Sequence, residues 1–303
     1  MKWFYKSGEL HREDWDVHVD VNQPPLVGWK HTGIRVGILR PGVWLHIAAD
    51  DNERILFLLE GEGMIVKHRI QNQQHFETQN LRGRESVFHD TADHLYLPRR
   101  TEIEISGDGR VAIGEALANE AKPVQVVTKE NVPVFVRGAG RESREVRNLG
   151  MPENLDADRI MVVEVVVPAG NWSGAPAHKH DVYIPGKESH LEEIYYFELA
   201  VTKGANVRTV TDPVGYFRGY ASDERAFDVT AEVRSGDLVL IPHGWHGPVA
   251  ANPGYDLYFF NVMAGPDVTR EWNATDDPHH EWIRESWKTQ LPDPRLPYVR
   301  KAI

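Results

Sequence analysis

Apolar and polar residues alternate along most of this chain with a period of two rather than 3.6, and the apolar runs are short. Residues 34–39, 55–59, 64–68, 95–97, 102–106 and 111–115 read as strands, bounded by Gly, Pro, Asn and Asp. The second half repeats the habit at 160–167, 193–199, 207–211, 227–233, 237–241 and 255–262. Helical periodicity is confined to weak stretches near 12–17 and 278–289. Many short strands separated by turn residues predict an all-β chain, a sandwich or barrel rather than βαβ units.

The pattern also echoes itself. Ile34-Arg35-Val36-Gly37-Ile38-Leu39-Arg40-Pro41-Gly42 with Trp44 resembles Val162-Val163-Glu164-Val165-Val166-Val167-Pro168-Ala169-Gly170 with Trp172. Gly83-Arg84-Glu85-Ser86-Val87-Phe88, leading to Leu97-Pro98, resembles Gly236-Asp237-Leu238-Val239-Leu240-Ile241-Pro242. Their common order predicts two copies of one barrel, 1–140 and 141–303, joined in the polar stretch 137–158. Gly61-Glu62-Gly63 opens like a dinucleotide fingerprint but lacks the third Gly and a following helix, so a hairpin turn is expected there.

A length of 303 residues suits two such units. With 45 acidic against 34 basic residues the formal charge is -11, and no cluster of Lys and Arg interrupts it, so no nucleic-acid partner is expected. The absence of cysteine excludes disulfides, thiol nucleophiles, iron–sulfur clusters and Cys-ligated zinc. Residues 1–15 lack the apolar core of an export signal, and no apolar run approaches the ~18 residues that cross a bilayer. A cytoplasmic protein without membrane partners is expected, and the sequons Asn171-Trp172-Ser173 and Asn273-Ala274-Thr275 read as accidental.

The chemistry concentrates in the second copy. In an extended segment side chains at i and i+2 face the same way, so His178 and His180 can both point inward while Lys179 points out. Glu192-Glu193 opens the strand Ile194-Tyr195-Tyr196-Phe197, and Gly236-x5-Pro242-x-Gly244-x-His246 delivers a third histidine at a strand end. Among fifteen histidines a single His-x-His arises easily by chance. Its conjunction with this second segment is what marks a metal site. Three imidazoles and one carboxylate suit manganese, iron, nickel or zinc. Asp276-Asp277-Pro278-His279-His280 reads instead as a helix start with Asp277 as N-cap.

His-x-His, a later Glu and Gly-x5-Pro-x-Gly-x-His resemble the two motifs of the cupin superfamily, with 12 residues between His180 and Glu193 forming a loop at the barrel mouth. Pro176-x-His178-Lys179-His180-Asp181, Leu191-Glu192-Glu193-Ile194-Tyr195-Tyr196, Pro253-Gly254-Tyr255-Asp256-Leu257-Tyr258 and Asn261-Val262-Met263-Ala264-Gly265-Pro266 narrow the match. With Asp276-Asp277-Pro278, Trp282 and Arg137-Gly138-Ala139-Gly140, they are similar to the bacterial 5-deoxy-glucuronate isomerase family. The resemblance implies a bicupin, an all-β fold of two tandem jelly-roll-like barrels. It implies a place in myo-inositol degradation, where 5-deoxy-glucuronate, an aldehyde sugar acid, becomes the ketone 5-dehydro-2-deoxy-gluconate. Residue by residue it assigns a divalent zinc, manganese or iron ion to His178, His180, Glu193 and His246. Strand alternation also favours Glu193 over Glu192, because Glu193 shares a face with Tyr195 and Phe197.

Moving a carbonyl from C1 to C2 means removing a proton at C2 and stabilising an enediolate. Candidates for the base are Glu192, Tyr195, His190, Asp181 and His243. The substrate carboxylate calls for a guanidinium fork, with Arg208 on the strand expected at 207–211 first and Arg225 second. The first copy offers only His46 and Glu102 in corresponding stretches, so it is expected to lack metal ligands and to supply packing and the interface of a homo-oligomer. The rival readings are a cupin dioxygenase or oxidase using iron or manganese, and a non-catalytic sugar-binding cupin.

Overall fold

The computed structural model describes residues 2–21, 28–222 and 225–299. The first unit is an eight-stranded antiparallel sheet ordered Val17–Val19, Thr32–Leu39, Thr101–Leu117, Asn52–Ile70, His94–Leu97 and Gln125–Val127, with Leu45–Ile47 and Glu77–Arg84 on its sides. Two of its strands are far longer than the sequence pattern suggests. The runs expected at 55–59 and 64–68 are one strand of 19 residues, and those at 102–106 and 111–115 are one of 17. The hairpin expected at Gly61-Glu62-Gly63 is therefore corrected to a bend inside a continuous strand. Gly61 (φ +123°) and Gly109 (φ +131°) face each other across it, and a Cβ on Gly61 would stand 2.0 Å from the Asp108 carbonyl oxygen. Only glycine lets both strands turn this corner together.

The second unit pairs a seven-stranded sheet with a six-stranded one. The first carries Glu192–Val201, Tyr255–Ala264, Met161–Val167 and Leu238–Ile241, and the second carries His178–Lys179, Gly215–Tyr220, Asp228–Val233 and Trp245–Ala251. Both faces of Glu192–Val201 are buried. Ile194 and Tyr196 join a core shared with Ile34, Ile55 and Phe57 of the first unit, while Tyr195 and Phe197 join the second barrel's own core with Phe217 and Phe259. Strand alternation therefore hands one residue set to the interface between units and the next to the barrel interior.

The two units are laced together across the boundary expected at residue 140. Phe4–Tyr5 pairs with Leu238–Ile241, and Val134–Arg137 pairs with Arg144–Asn148, so strands from both ends of the first segment extend the second unit's sheet. Glu53 accepts hydrogen bonds from the amides of Asp158, Arg159 and Ile160, and Glu192 accepts them from those of Lys30 and His31. Each buried carboxylate thus caps the chain entering the other unit. Arg84 bonds Glu164 across the interface, and the Tyr258 hydroxyl donates to the same carboxylate at 2.6 Å.

Two further sequence expectations fail. Residues 12–17 form a turn closed by an Arg12–Trp15 bridge and then the strand Val17–Val19, not a helix. Residues 207–211 form no strand; the segment between Val201 and Gly215 is irregular and mostly exposed, because Gly204 and Pro213 break it and no neighbouring edge pairs with it. The helical stretch near 278–289 shrinks to Ile283–Ser286 followed by the turn Trp287–Thr289. The mouth loop 181–192 holds the hairpin Asp181–Ile184/Glu188–His190, pinned by Lys179 Nζ on Asp181 (2.8 Å) and Glu188 (2.7 Å). Among the described residues no helix is long and apolar enough to cross a membrane.

Candidate metal centre and its cavity

The strand His178–Lys179 pairs with Trp245–Ala251 so that His178 lies directly opposite His246. Gly244 makes that register possible. Its φ of +88° turns the chain into the strand, and a Cβ there would stand 2.7 Å from the Tyr220 carbonyl oxygen. The ligand atoms of His178, His180 and His246 lie within 4.8 Å of one another. Glu193 stands behind two of them, with Oε2 3.0 Å from His180 Nε2 and 3.1 Å from His246 Nε2.

Backbone contacts aim these rings. The Leu191 carbonyl accepts from His180 Nδ1 at 3.4 Å and the Gly244 carbonyl from His246 Nδ1 at 3.2 Å, which turns each Nε2 towards Glu193. Asn261 Nδ2 donates to Glu193 Oε1 at 2.5 Å and holds the carboxylate from the other side. Burial would raise the Glu193 carboxyl, but its contacts with the two imidazoles keep it well below the usual range, so it is ionised. Burial, reinforced by the neighbouring imidazoles, pushes His178 well down and leaves it neutral.

The donor set fits a divalent cation. His246 Nε2 is buried and makes no hydrogen bond, since its 3.1 Å approach to Glu193 lacks hydrogen-bond alignment. A buried, unpartnered imidazole nitrogen facing an anionic oxygen and two more imidazoles is costly in a bare protein and satisfied by a metal ion.

His178 opens onto a cavity of about 620 Å³ that Tyr195, Asn261, Ser173 and Trp272 also line. Tyr195 stacks on Phe259 at 4.7 Å and meets His246 edge-on at 6.3 Å. Burial and the adjacent Glu193 push its hydroxyl well above 10, so it stays protonated.

The remaining expected residues lie elsewhere. Glu192 points away from the cluster into the interface, where it binds the Lys30 and His31 amides. Strand alternation puts it opposite Glu193, which corrects its reading as a base. Arg208 is exposed in the irregular segment and does not line the cavity, which corrects its placement on a strand beside the site. Arg225 pairs with Asp181 at 2.7 Å, and Asp181 also accepts from Lys179, Ser222 and the Gly244 amide. His243 contacts the Ala226 carbonyl, and His190 sits on the mouth hairpin. Sequence reasoning missed Asn261, Arg144 and Glu271, which converge on the cavity only through sheet register and a loop.

The first unit has a different occupant at the matching place. Glu53 pairs with Ala116 and Arg54 with Glu115, as Glu192 pairs with Ala264 and Glu193 with Met263. Arg54 thus stands where the second unit has Glu193, fully buried and ion-paired to Glu115 and Asp50 at 2.6 Å each. A guanidinium there repels a cation.

A chain with two stacked barrels, and with three histidines and a glutamate clustered at the mouth of the second, is a bicupin. The solved structures it resembles include an IolB-like protein from Salmonella typhimurium LT2 (TM-score 0.78, 32% identity, 93% of this chain and 99% of that one). Oxalate decarboxylase from Lactobacillus farciminis shares the fold at 10% identity (TM-score 0.61, 91% and 88% covered). Residues 3–283 match the KduI/IolB family, and the chain belongs to it. It is 36% identical over 266 residues to the 5-deoxy-glucuronate isomerase of Geobacillus thermodenitrificans (87% of this chain, 90% of the relative). It is 38% identical to that of Geobacillus kaustophilus, with 87% and 89% covered.

Proposed function

We propose that this protein isomerises 5-deoxy-glucuronate to 5-dehydro-2-deoxy-gluconate, a step of myo-inositol degradation. The observation that carries the reading is the grouping of three imidazoles, two of them against an ionised, buried carboxylate and the third opening onto a cavity, in a chain 36% identical to a named isomerase over most of its length. His178, His180, Glu193 and His246 would hold the metal, and the donor set suits zinc, manganese or iron. When bound, such a cation supplies Lewis-acid stabilisation to oxyanion character developing on the substrate.

The chain's own groups do the rest. Tyr195 keeps its Oη proton and donates a hydrogen bond to a sugar oxygen at the cavity wall. Glu271, half-buried on the same wall and without an ion pair among the described residues, is the group we assign to carry the proton from C2 to C1. Phe259, Trp272 and Trp287 wall the cavity with apolar surface, which limits water around the reacting carbons.

The test is proton NMR of 5-deoxy-glucuronate in D2O with metal-replete protein, before and after chelation. Chelator-sensitive loss of the aldehyde signals with growth of the ketose is expected. Deuterium should appear at the new C1, and Glu271→Gln should abolish turnover with metal content retained. No turnover by metal-replete wild type would overturn the reading.

A further inference from the structure

Four arginines line the cavity, and two are already neutralised or satisfied. Arg284 pairs with Asp276, and Arg270 donates to the carbonyls of Ile160 (2.8 Å), Leu155 (2.6 Å) and Gly150 (2.6 Å). Arg137 and Arg144 differ. They are direct cross-strand partners on the hairpin Val134–Arg137/Arg144–Asn148, and among the described residues neither forms an ion pair.

Like charges facing each other across a strand pair destabilise a sheet, and Arg144, half-buried on the cavity wall without a counter-ion, costs more than the exposed Arg137 beside it. The surroundings orient the two groups without neutralising them. Arg137 lies over the Trp272 ring at 5.8 Å and Arg144 over Trp287 at 5.6 Å, while the Arg144 Nη1 donates to the Glu142 carbonyl at 3.1 Å. Burial, then the charges of Arg137 and Arg284, push Arg144 down to about 10, the mark of a guanidinium lacking its anion. The same guanidinium acts electrostatically on Tyr195, which ties the pair to the wall that also carries His178.

We infer that Arg137 and Arg144 form a carboxylate clamp that binds the acid end of the sugar and directs its carbonyl end to His178 and Tyr195. The inference rests on the isomerase reading for the identity of the substrate. The planar fork of Arg144 donates bidentately to a carboxylate, and Arg137 closes the charge balance. Selectivity for uronates over neutral aldoses follows from this pair.

The experiment compares kcat and KM for 5-deoxy-glucuronate and for its neutral analogue with CH2OH in place of the carboxylate. It uses metal-replete wild type, Arg144→Gln, Arg137→Gln and Arg144→Lys. Each Gln variant should lower the acid-to-alcohol ratio of kcat/KM by about 10–100-fold, mainly through KM for the acid. Arg144→Lys should recover part of the loss. A Gln variant that does not fold is recognised by its melting curve and leaves the other to carry the test. Equal losses on both substrates, or an unchanged KM for the acid, would overturn the clamp while the isomerase stands. A parallel calorimetric titration uses unreactive 2-deoxy-gluconate against 2-deoxy-glucitol. Arginine-dependent preference for the acid there, in a wild type that turns nothing over, would uphold the clamp and remove the isomerase reading.

Discussion

His246 is the most constrained of the three imidazoles. Its Nδ1 faces a carbonyl two residues back, its ring lies between His178 (4.5 Å) and His180 (4.7 Å), and its Nε2 has no hydrogen bond. Glu193 is held with equal care, because Asn261 Nδ2 binds the oxygen that does not face the histidines. Asn261 is itself fixed, its Oδ1 accepting from the Val163 amide at 3.2 Å. Partners of this kind typically change metal affinity by about 10–100-fold. Asn261→Ala should therefore weaken metal retention by that order while the protein stays folded, measured by chelator competition. Unchanged affinity would mean that the Asn261–Glu193 bond positions nothing.

At the scale of elements, the strand Glu192–Val201 serves two sites with adjacent carboxylates. Glu193 faces the histidine cluster and Glu192 the neighbouring unit, a direct result of the two-residue repeat. Burial pushes the Glu192 carboxyl up, and the backbone amides it accepts from oppose that shift. Its task is structural. Glu192→Gln should keep metal and turnover but lose about 1–3 kcal/mol of stability in urea titrations, since an amide offers one acceptor oxygen to the Lys30 and His31 amides where the carboxylate offers two. A large fall in kcat with unaltered stability would return Glu192 to the chemistry. The alternation that separates the two carboxylates is legible in Glu193, Tyr195 and Phe197 from sequence. That Glu192 would find amides of residues 30 and 31, rather than solvent, is not, because those partners are about 160 positions away.

At the scale of the molecule, the two units bury one of their hydrophobic clusters in common, which predicts a single cooperative body. Arg84, Glu164 and Tyr258 lie fully or almost fully buried at the seam. Removing one partner of such a pair leaves an uncompensated charge, so Glu164→Ala should cost about 3–5 kcal/mol and keep a single urea transition. Two separated transitions would show units that fold independently. His94 gives the seam a pH dependence. Burial pushes its imidazole from 6.5 down to about 4, so between these values the unfolded chain binds more protons than the folded one. Its contribution is complete above about 6.5 and declines as the pH falls towards 4, by up to about 1.4 kcal/mol per unit. His31, also lowered to about 4, acts in the same direction. Urea midpoints at pH 7, 6 and 5 should fall less steeply in His94→Gln than in wild type, and equal slopes would exclude His94 as a source. The period-two pattern, the doubled unit and the histidine motifs were determined by the sequence itself, because strand alternation and ligand spacing are local properties. Tertiary structure alone decided the continuous bent strands, the strands that the first segment lends to the second unit's sheet, Arg54 in place of a ligand, and the cavity arginines. Each of these depends on sheet register, which brings together residues that local periodicity does not relate.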